Sequence, residues 1–392
     1  MHSDLHVSPD IYRKNFPNFG RPKIVGFMSL DSERNYHADT RQLMFARDIE
    51  DKSVIFDLNL HMDKVKRRPP NLNERITHLL QFLSDQEKRL NYSNNNIDSA
   101  KFFCYRGLLT CVACTPYENR EPWRIVATLF KGNIYLCARD TQDKIDRLRN
   151  MTERDKMFTS WGYKFEQFVL SDDPDSQPNP NCGVDESEEF SLVFETNLNR
   201  HTIVYGAEMD GIRCDRGSVT APPSTELGPD AIIEYLSNKH FIELKTNRHI
   251  EFPNQDNNFR RFKTKKWWCQ SFLAGVDTIV AGFRNDEGIV EQLKLYPVKD
   301  IAKMSQRFWQ PNVCMNFLET FLTYVKRCLA KEVSNKFGKK ALNNLQNLPL
   351  ISLHFEWSPR TPVRVTDAYC YEDDPILPQW FVDRYQKTYA DS

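Results

Sequence analysis

The chain has no excess charge of either sign: 53 lysines and arginines face 53 aspartates and glutamates. No global field therefore draws it onto a polyanion or a membrane surface, and any nucleic-acid affinity must come from local clusters. No stretch approaches the roughly 20 apolar residues that span a bilayer, and the start, MHSDLHVSPD, lacks the basic residues and apolar run of a secretory leader. A soluble intracellular protein with no membrane partner is expected. Neither G-x-S-x-G nor G-x-x-x-x-G-K-[ST] occurs, which sets aside nucleophile-elbow hydrolases and P-loop enzymes. Of 10 cysteines only Cys111 and Cys114 stand in a CxxC spacing, in TCVACTPYE. Read as a strand, that segment points the two thiols to opposite faces, and no second pair completes a zinc site. Internal repeats and the common RNA-binding modules are also missing.

What is present is ordinary globular material, 392 residues with 40% hydrophobic and 27% charged. It is taken as a single domain over 1–392 with an insertion at 213–238. The first 70 residues read as irregular segments and edge strands that wrap the core. The basic run KVKRRPP at 64–70 suits a solvated loop, a phosphate-binding rim or a nuclear-import signal. Ile76, Leu79, Leu80 and Leu83 follow helical spacing. KFFCYRGLLTCVACTPY, WRIVATLF and NIYLCAR read as strands of an antiparallel meander, with a turn at KGN. One long helix is expected from about Gln142 to Val169, then a loop, then strands SLVFETNL, HTIVYGAEMDGI and KHFIELKT. FRRFKTKKWWCQSFLAG reads as a helix, DTIVAGFRN and VEQLKLYPV as strands, and Leu318, Phe321, Leu322, Val325 and Leu329 mark a last amphipathic helix.

The chemistry gathers in four short pieces. Glu208 and Asp210 in YGAEMDGI are two apart, so a strand puts both carboxylates on one face, and the same rule aligns Glu243 with Lys245 in FIELKT. Gly206 and Gly211 flank the first pair and leave room for a ligand or another backbone. In WGYKFEQF, Gly162 and Glu166 share a helical face, as do Lys266 and Gln270 in KTKKWWCQSF. Buried acids repel unless a cation neutralises them, and hard oxygen donors suit Mg²⁺ or Mn²⁺. A lysine beside such a cluster fits metal-assisted phosphodiester hydrolysis. A glycosidase, which also uses two acids, accounts less well for Lys245 and the surplus of carboxylates.

In order along the chain these motifs resemble the DXO-type decapping nucleases, relatives of the fungal partners of the nuclear 5′-to-3′ exoribonuclease. The pattern is an early arginine, G-h-h-h-E, E-h-D, E-h-K and a later glutamine, h being apolar. Here it reads Arg106 in CYRGLLT, GYKFE from Gly162 to Glu166, EMD from Glu208 to Asp210, ELK from Glu243 to Lys245, and Gln270 in WWCQSF. TPYE, GYKFEQF and KWWCQSFLAG also look like the family, over about residues 20 to 385. Lys164 departs from the pattern at an h position, where its stem can pack while its head stays wet.

The resemblance implies a mixed α/β fold, two mixed β-sheets flanked by helices around a PD-(D/E)XK nuclease-like core. It implies two ions, Mg²⁺ or Mn²⁺: one held by Glu166, Asp210, Glu243 and the backbone carbonyl of Leu244, the other by Glu208 and Asp210. Lys245 and Gln270 would place the attacking water and the scissile phosphate, and Arg106 would grip a phosphate of the RNA 5′ end. The implied substrates are RNAs with defective or non-classical 5′ ends, carrying an incompletely methylated cap, an NAD cap or a bare 5′ phosphate, some being degraded onward 5′ to 3′. Trp267 or Trp268 would stack on bases or pack in the core. The family places such a protein in the nucleus, with the cytoplasm also open, beside a possible 5′-3′ exoribonuclease partner. The rival readings are an inactive RNA-end binding protein of the same fold and a metal-dependent DNA nuclease.

Overall fold

The computed structural model describes residues 2–69, 72–214, 219–367 and 375–387. Among them the strands form two mixed sheets. The nine-stranded sheet runs, in spatial order, β16 (Arg364–Asp367), β15 (Ile351–Trp357), β6 (Trp123–Phe130), β7 (Asn133–Arg139), β5 (Phe102–Tyr105), β10 (His201–Glu208), β9 (Glu189–Leu198), β1 (Lys23–Leu30) and β2 (Tyr36–His37). The seven-stranded sheet runs β4 (Lys52–Asp57), β14 (Ile289–Pro297), β13 (Thr278–Arg284), β12 (Phe241–Arg248), β11 (Gly211–Cys214), β3 (Phe45–Arg47) and β8 (Leu170–Ser171). Helices α1 (Thr77–Asp85), α2 (Glu87–Leu90), α3 (Arg106–Cys114), α4 (Gln142–Arg149) and α5 (Glu153–Val169) come before the crossing between the sheets. After it come α6 (Pro229–Ser237), α7 (Pro253–Asn258), α8 (Thr264–Leu273), α9 (Val298–Ser305), α10 (Pro311–Phe337) and α11 (Gln379–Lys387).

Strand alternation divides the apolar residues into three bodies. The largest joins inward side chains of both sheets, among them Phe102, Ile125, Leu192, Tyr205 and Ile279, to α3, α8 and α10. On the other face of the nine-stranded sheet, Val126, Val193 and Val204 pack under α1 and α11. On the other face of the seven-stranded sheet, Ile242, Leu244, Val280 and Leu293 pack under Trp161, Phe165 and Val169 of α5. The two sheets and their helical flanks thus agree with the fold that the motif resemblance implied.

Several local expectations change. The TCVAC of TCVACTPYE belongs to helix α3, whose Leu108, Leu109 and Val112 are buried at helical spacing, and Thr115–Tyr117 follow as a short 3-10 turn. Cys114 lies in the core with its Sγ 3.7 Å from that of Cys269, while Cys111 is exposed. Because α3 follows β5, that strand joins β7 in parallel, and only β6 and β7 form a hairpin. Its two-residue turn, Lys131 at φ 49 and Gly132 at φ 78, has the backbone that such tight hairpins require. The helix expected over 142–169 is two helices. Thr152 and Asp155 form a capping box, with Asp155 N donating to Thr152 Oγ1 at 3.1 Å and Thr152 N to Asp155 Oδ2 at 2.9 Å. That box starts a new helix at Glu153. Helix α10 is followed by α11, so it is not the last. β1, within the first 70 residues, is a buried strand rather than an edge wrap. The segment 213–238 links β11 to β12 and carries α6, whose Ile232 and Leu236 are buried; its residues 215–218 lie outside the described residues.

Candidate active site

Strand β12 fixes the first pair. Alternation turns Ile242 and Leu244 toward α5, so Phe241, Glu243 and Lys245 take the opposite face, toward the central core. Glu243 is 1% exposed, a burial that a carboxylate sustains only with partners. It has two: Lys245 Nζ donates to its Oε1 at 2.5 Å and Arg106 Nη1 to its Oε2 at 3.3 Å. Arg106 is itself buried, at the first turn of α3. The odd charge pattern of FIELKT is thus an ion pair set into a core strand.

YGAEMDGI is not one strand. β10 ends at Glu208 in the nine-stranded sheet and β11 starts at Gly211 in the seven-stranded sheet, so Met209 and Asp210 are the crossing between sheets. Met209 N still bonds Phe190 O at 2.9 Å, which keeps Glu208 in register with β9. Asp210 Oδ2 accepts from Leu244 N at 2.5 Å, tying the crossing to β12. The flanking glycines make room for protein: a Cβ on Gly206 would lie 2.8 Å from the Tyr105 ring, and one on Gly211 2.7 Å from Leu170 Cδ2. Gly162 differs, since a Cβ there would meet nothing within 4 Å, which leaves open space one turn from Glu166 on α5.

The four acids feel one another. Burial, then Asp210 and Glu208, push Glu166 well above the ordinary carboxylate range. Burial, then Glu189 and Asp210, raise Glu208 to about 8. Glu208 keeps solvent access, and water screens part of that repulsion. Burial, then Glu243, raise Asp210 to about 7, against the opposing pull of Lys245 and the Leu244 N–H. Burial also works to raise Glu243, but Lys245 and then Arg106 outweigh it and hold it below the ordinary value. Among the described residues the carboxylates of Glu166 and Glu208 have no ion pair or hydrogen bond, and no group of three histidine, cysteine, aspartate or glutamate side chains stands in a metal-holding arrangement. Two unpaired carboxylates beside a third with raised proton affinity, all hard oxygen donors, are a donor set that fits divalent cations.

Gln270 sits half-buried on α8, and its side-chain amide makes no hydrogen bond among the described residues. The helix is pinned to the nine-stranded sheet by Tyr205 Oη, which donates to Leu273 O at 2.5 Å. Trp267 and Trp268 are core residues: the first packs edge-on against Phe259, the second stacks on Phe272 at 4.6 Å. They offer no ring to a base. Lys164 is 1% exposed with its ammonium buried too, donating to Pro180 O at 2.6 Å and Cys182 O at 3.0 Å. It ties the 172–188 loop to α5 instead of reaching water.

One neighbour of the cluster was not read from the sequence. Glu189, at the start of β9, acts on Glu208 and is held by Arg34 Nη1 at 2.9 Å; Arg34 also grips Glu74 at 2.7 Å. Three residues from distant parts of the chain make this network, so no local spacing announces it. In KVKRRPP, Lys66 pairs with Glu33 and Asp185, Arg67 with Glu153 and Arg68 with Glu74, while Pro70 lies outside the described residues.

Residues 20–382 match the family described as RAI1 like PD-(D/E)XK nuclease. The chain is 32% identical over 389 residues to the decapping and exoribonuclease protein of Rattus norvegicus, which covers 97% of this chain and 89% of that one. Its fold is similar to that of Candida albicans Rai1, solved in complex with pU5 and Mn²⁺, at TM-score 0.75 with 20% identity over 99% of both chains. It is also similar to Scheffersomyces stipitis Rai1, solved with (3′-NADP)⁺ and calcium ion, at TM-score 0.72 with 18% identity over 98% of both. At these identities the two structures speak to the shared fold.

Proposed function

The chain belongs to the RAI1-like PD-(D/E)XK nuclease family, and from that membership we propose that it is a divalent-metal-dependent hydrolase that removes incomplete or NAD caps from RNA 5′ ends. Degradation of 5′-monophosphate RNA in the 5′-to-3′ direction is part of the same reading. The observation that carries it is the electrostatic contact of Glu166 on α5, Glu208 on β10, Asp210 at the crossing and Glu243 on β12 with one another, with Lys245 paired to Glu243.

Glu166, Asp210, Glu243 and the Leu244 carbonyl are proposed to hold one ion and Glu208 with Asp210 a second, with Mg²⁺ or Mn²⁺ as the expected metal. When bound, such ions stabilise the attacking and leaving oxygens of an in-line displacement. The chain's own groups set the geometry. Lys245, raised in pKa because Glu243 and Asp210 outweigh its burial, stays charged and donates toward the reacting phosphate and its water. Arg106 fixes the outer oxygen of Glu243 and is proposed to face the 5′-terminal phosphate. Gln270 presents a neutral amide from α8 to the same water or phosphate.

The single-domain reading over 1–392 and the role of 213–238 as an insertion belong to this proposal. A nuclear location goes with the family, although Lys66, Arg67 and Arg68 of the basic run are committed to carboxylates. A 5′-3′ exoribonuclease partner is proposed from the fungal relatives, and co-purification tests it. The deciding experiment incubates the purified protein with unmethylated, methylated and NAD-capped RNAs, with Mg²⁺ or Mn²⁺ and with EDTA. Metal-dependent release of an intact cap supports the reading. RNA binding without release overturns it in favour of an end-binding protein.

A further inference from the structure

We infer that the polar cleft at the N-terminal end of the α7–α8 segment is a second RNA site, one that takes the phosphates and a base of the RNA body downstream of the cleaved end. This rests on the proposed function above. The cleft has a volume of about 500 Å³ and is lined by Asn254, Asn257, Asn258, Arg261, Arg307 and Phe308. Neither arginine has a carboxylate partner among the described residues. The nearby Asp256 is taken by Arg260 at 2.7 Å. In a chain of zero net charge, with so many surface cations paired, two exposed and unneutralised guanidinium groups across one cleft make a local anion site.

The aromatic content points to a nucleic acid rather than a free anion. The Arg261 guanidinium lies over the half-buried Phe308 ring at 5.2 Å, and Phe252, at the start of α7, is 62% exposed. Arginine planes and aromatic faces with amide donors and acceptors between them are what a single strand needs for stacking, backbone neutralisation and sequence-tolerant hydrogen bonding. The buried Trp267 and Trp268 cannot supply this, so the stacking role falls to the cleft.

Its position links it to the acid cluster. Asn247 lies on the same face of β12 as Glu243 and Lys245, and Lys263 Nζ donates to its Oδ1 at 2.7 Å. Lys263 leads directly into α8, which carries Gln270. Nine residues separate Gln270 from Arg261, about 14 Å at helical rise. At about 3.4 Å per stacked nucleotide, the cleft meets RNA beyond about the fourth position.

The test compares wild type with an Arg261→Ala/Arg307→Ala double variant and an Arg261→Lys/Arg307→Lys control. All three are titrated in EDTA against 3′-labelled 5′-monophosphate RNAs of two and about 20 nucleotides over a salt series. The alanine variant is expected to bind the long RNA about tenfold more weakly, with a log–log salt slope shallower by about 1.4, and the dinucleotide as wild type does. The lysine control keeps the wild-type slope. Equal affinity and slope for wild type and the alanine variant on long RNA overturn the site, as does an equal loss on the dinucleotide. Hydrolysis of a capped dinucleotide with metal is measured in parallel. Its absence from wild type refutes the enzymatic reading, while the binding comparison separately decides the cleft.

Discussion

Lys245 and Glu243 form a strand-borne ion pair, 2.5 Å between Nζ and Oε1, in which the acid is 1% exposed and the lysine side chain 24% exposed. The pair is held by alternation on β12, and Arg106 closes its far side. Lys245→Met therefore leaves Glu243 buried with a single cation. The expected cost is about 1–3 kcal/mol, below the roughly 3–5 kcal/mol of a fully orphaned buried charge, because Arg106 remains. Cap release is expected to fall by about 10²–10³, the scale of losing one charged stabiliser of the reacting oxygens. Denaturant titration and single-turnover assays measure the two effects. Wild-type turnover in this variant would remove Lys245 from the chemistry.

Asp210 offers the opposite balance. It is the acid with neighbours on both sides, raised by Glu243 and in turn raising Glu166 and Glu208. Asp210→Ala removes a repelling charge and one hydrogen bond from Leu244 N, so the two changes in stability oppose each other. The variant is expected to melt within a few degrees of wild type, to lose hydrolysis completely, and to lose saturable Mn²⁺ binding by calorimetry. Retained turnover would refute the metal assignment.

How much of this was legible follows from the range of the interactions. Period-two alternation is local, so FIELKT could be read as one face bearing Glu243 and Lys245. Helical spacing is local too, which is why Gly162 and Glu166 fell on one face of α5. The break of YGAEMDGI between two sheets was not legible, because the strand spacing looks the same whether a chain stays in one sheet or crosses at Met209. The α3 segment was misread since LLTCVAC is short and apolar, and such runs fit strand and helix alike until their neighbours decide. The wet head expected of Lys164 is overturned and the two tryptophans stay open in the sequence for a related reason: whether a long side chain is wet or buried depends on the 172–188 loop and on Phe272 and Trp309, which sequence spacing does not place. The joint meaning of five weak motifs comes from their order, by resemblance, and not from any one spacing.

The cluster also makes the metal-free protein sensitive to pH. Asp210 is raised from 3.8 to about 7 in the folded state, and the solvent-accessible Glu208 is pushed in the same direction to a degree that water screening lessens, so the native protein holds protons that the unfolded chain has released. Between about 4 and about 7, the limits set by Asp210, the folded state binds more protons, and stability falls as pH rises through the window. In EDTA the melting temperature is expected to be higher at about pH 5.5 than at about pH 8.5, and Mn²⁺ is expected to reverse the loss at the higher pH by neutralising the same carboxylates. Asp210→Asn should flatten the metal-free profile. A profile that rises with pH in EDTA would mean that the four acids do not sit together as charges.

Glu166 is positioned by packing that contains no charge, and this gives a test remote from the chemistry. Its neighbour Phe165 is 1% exposed under the seven-stranded sheet, and its ring fills the space beside Gly282 of β13. A Cβ on Gly282 would lie 2.5 Å from Phe165 Cε2 and 2.8 Å from Cζ, closer than real contacts permit. A buried ring has no free side to move to, so Gly282→Ala must shift α5 or the strand, at an expected cost of about 1–3 kcal/mol. Because Glu166 follows Phe165 directly, the same shift moves its carboxylate away from Asp210, and hydrolysis should fall although Gly282 touches no substrate. Phe165→Leu trims the ring, so the double variant Gly282→Ala/Phe165→Leu should recover turnover relative to Gly282→Ala alone. Thermal denaturation and cap-release assays on the three variants decide it. A Gly282→Ala protein with wild-type stability and turnover would show that α5 does not rest on β13 in this way.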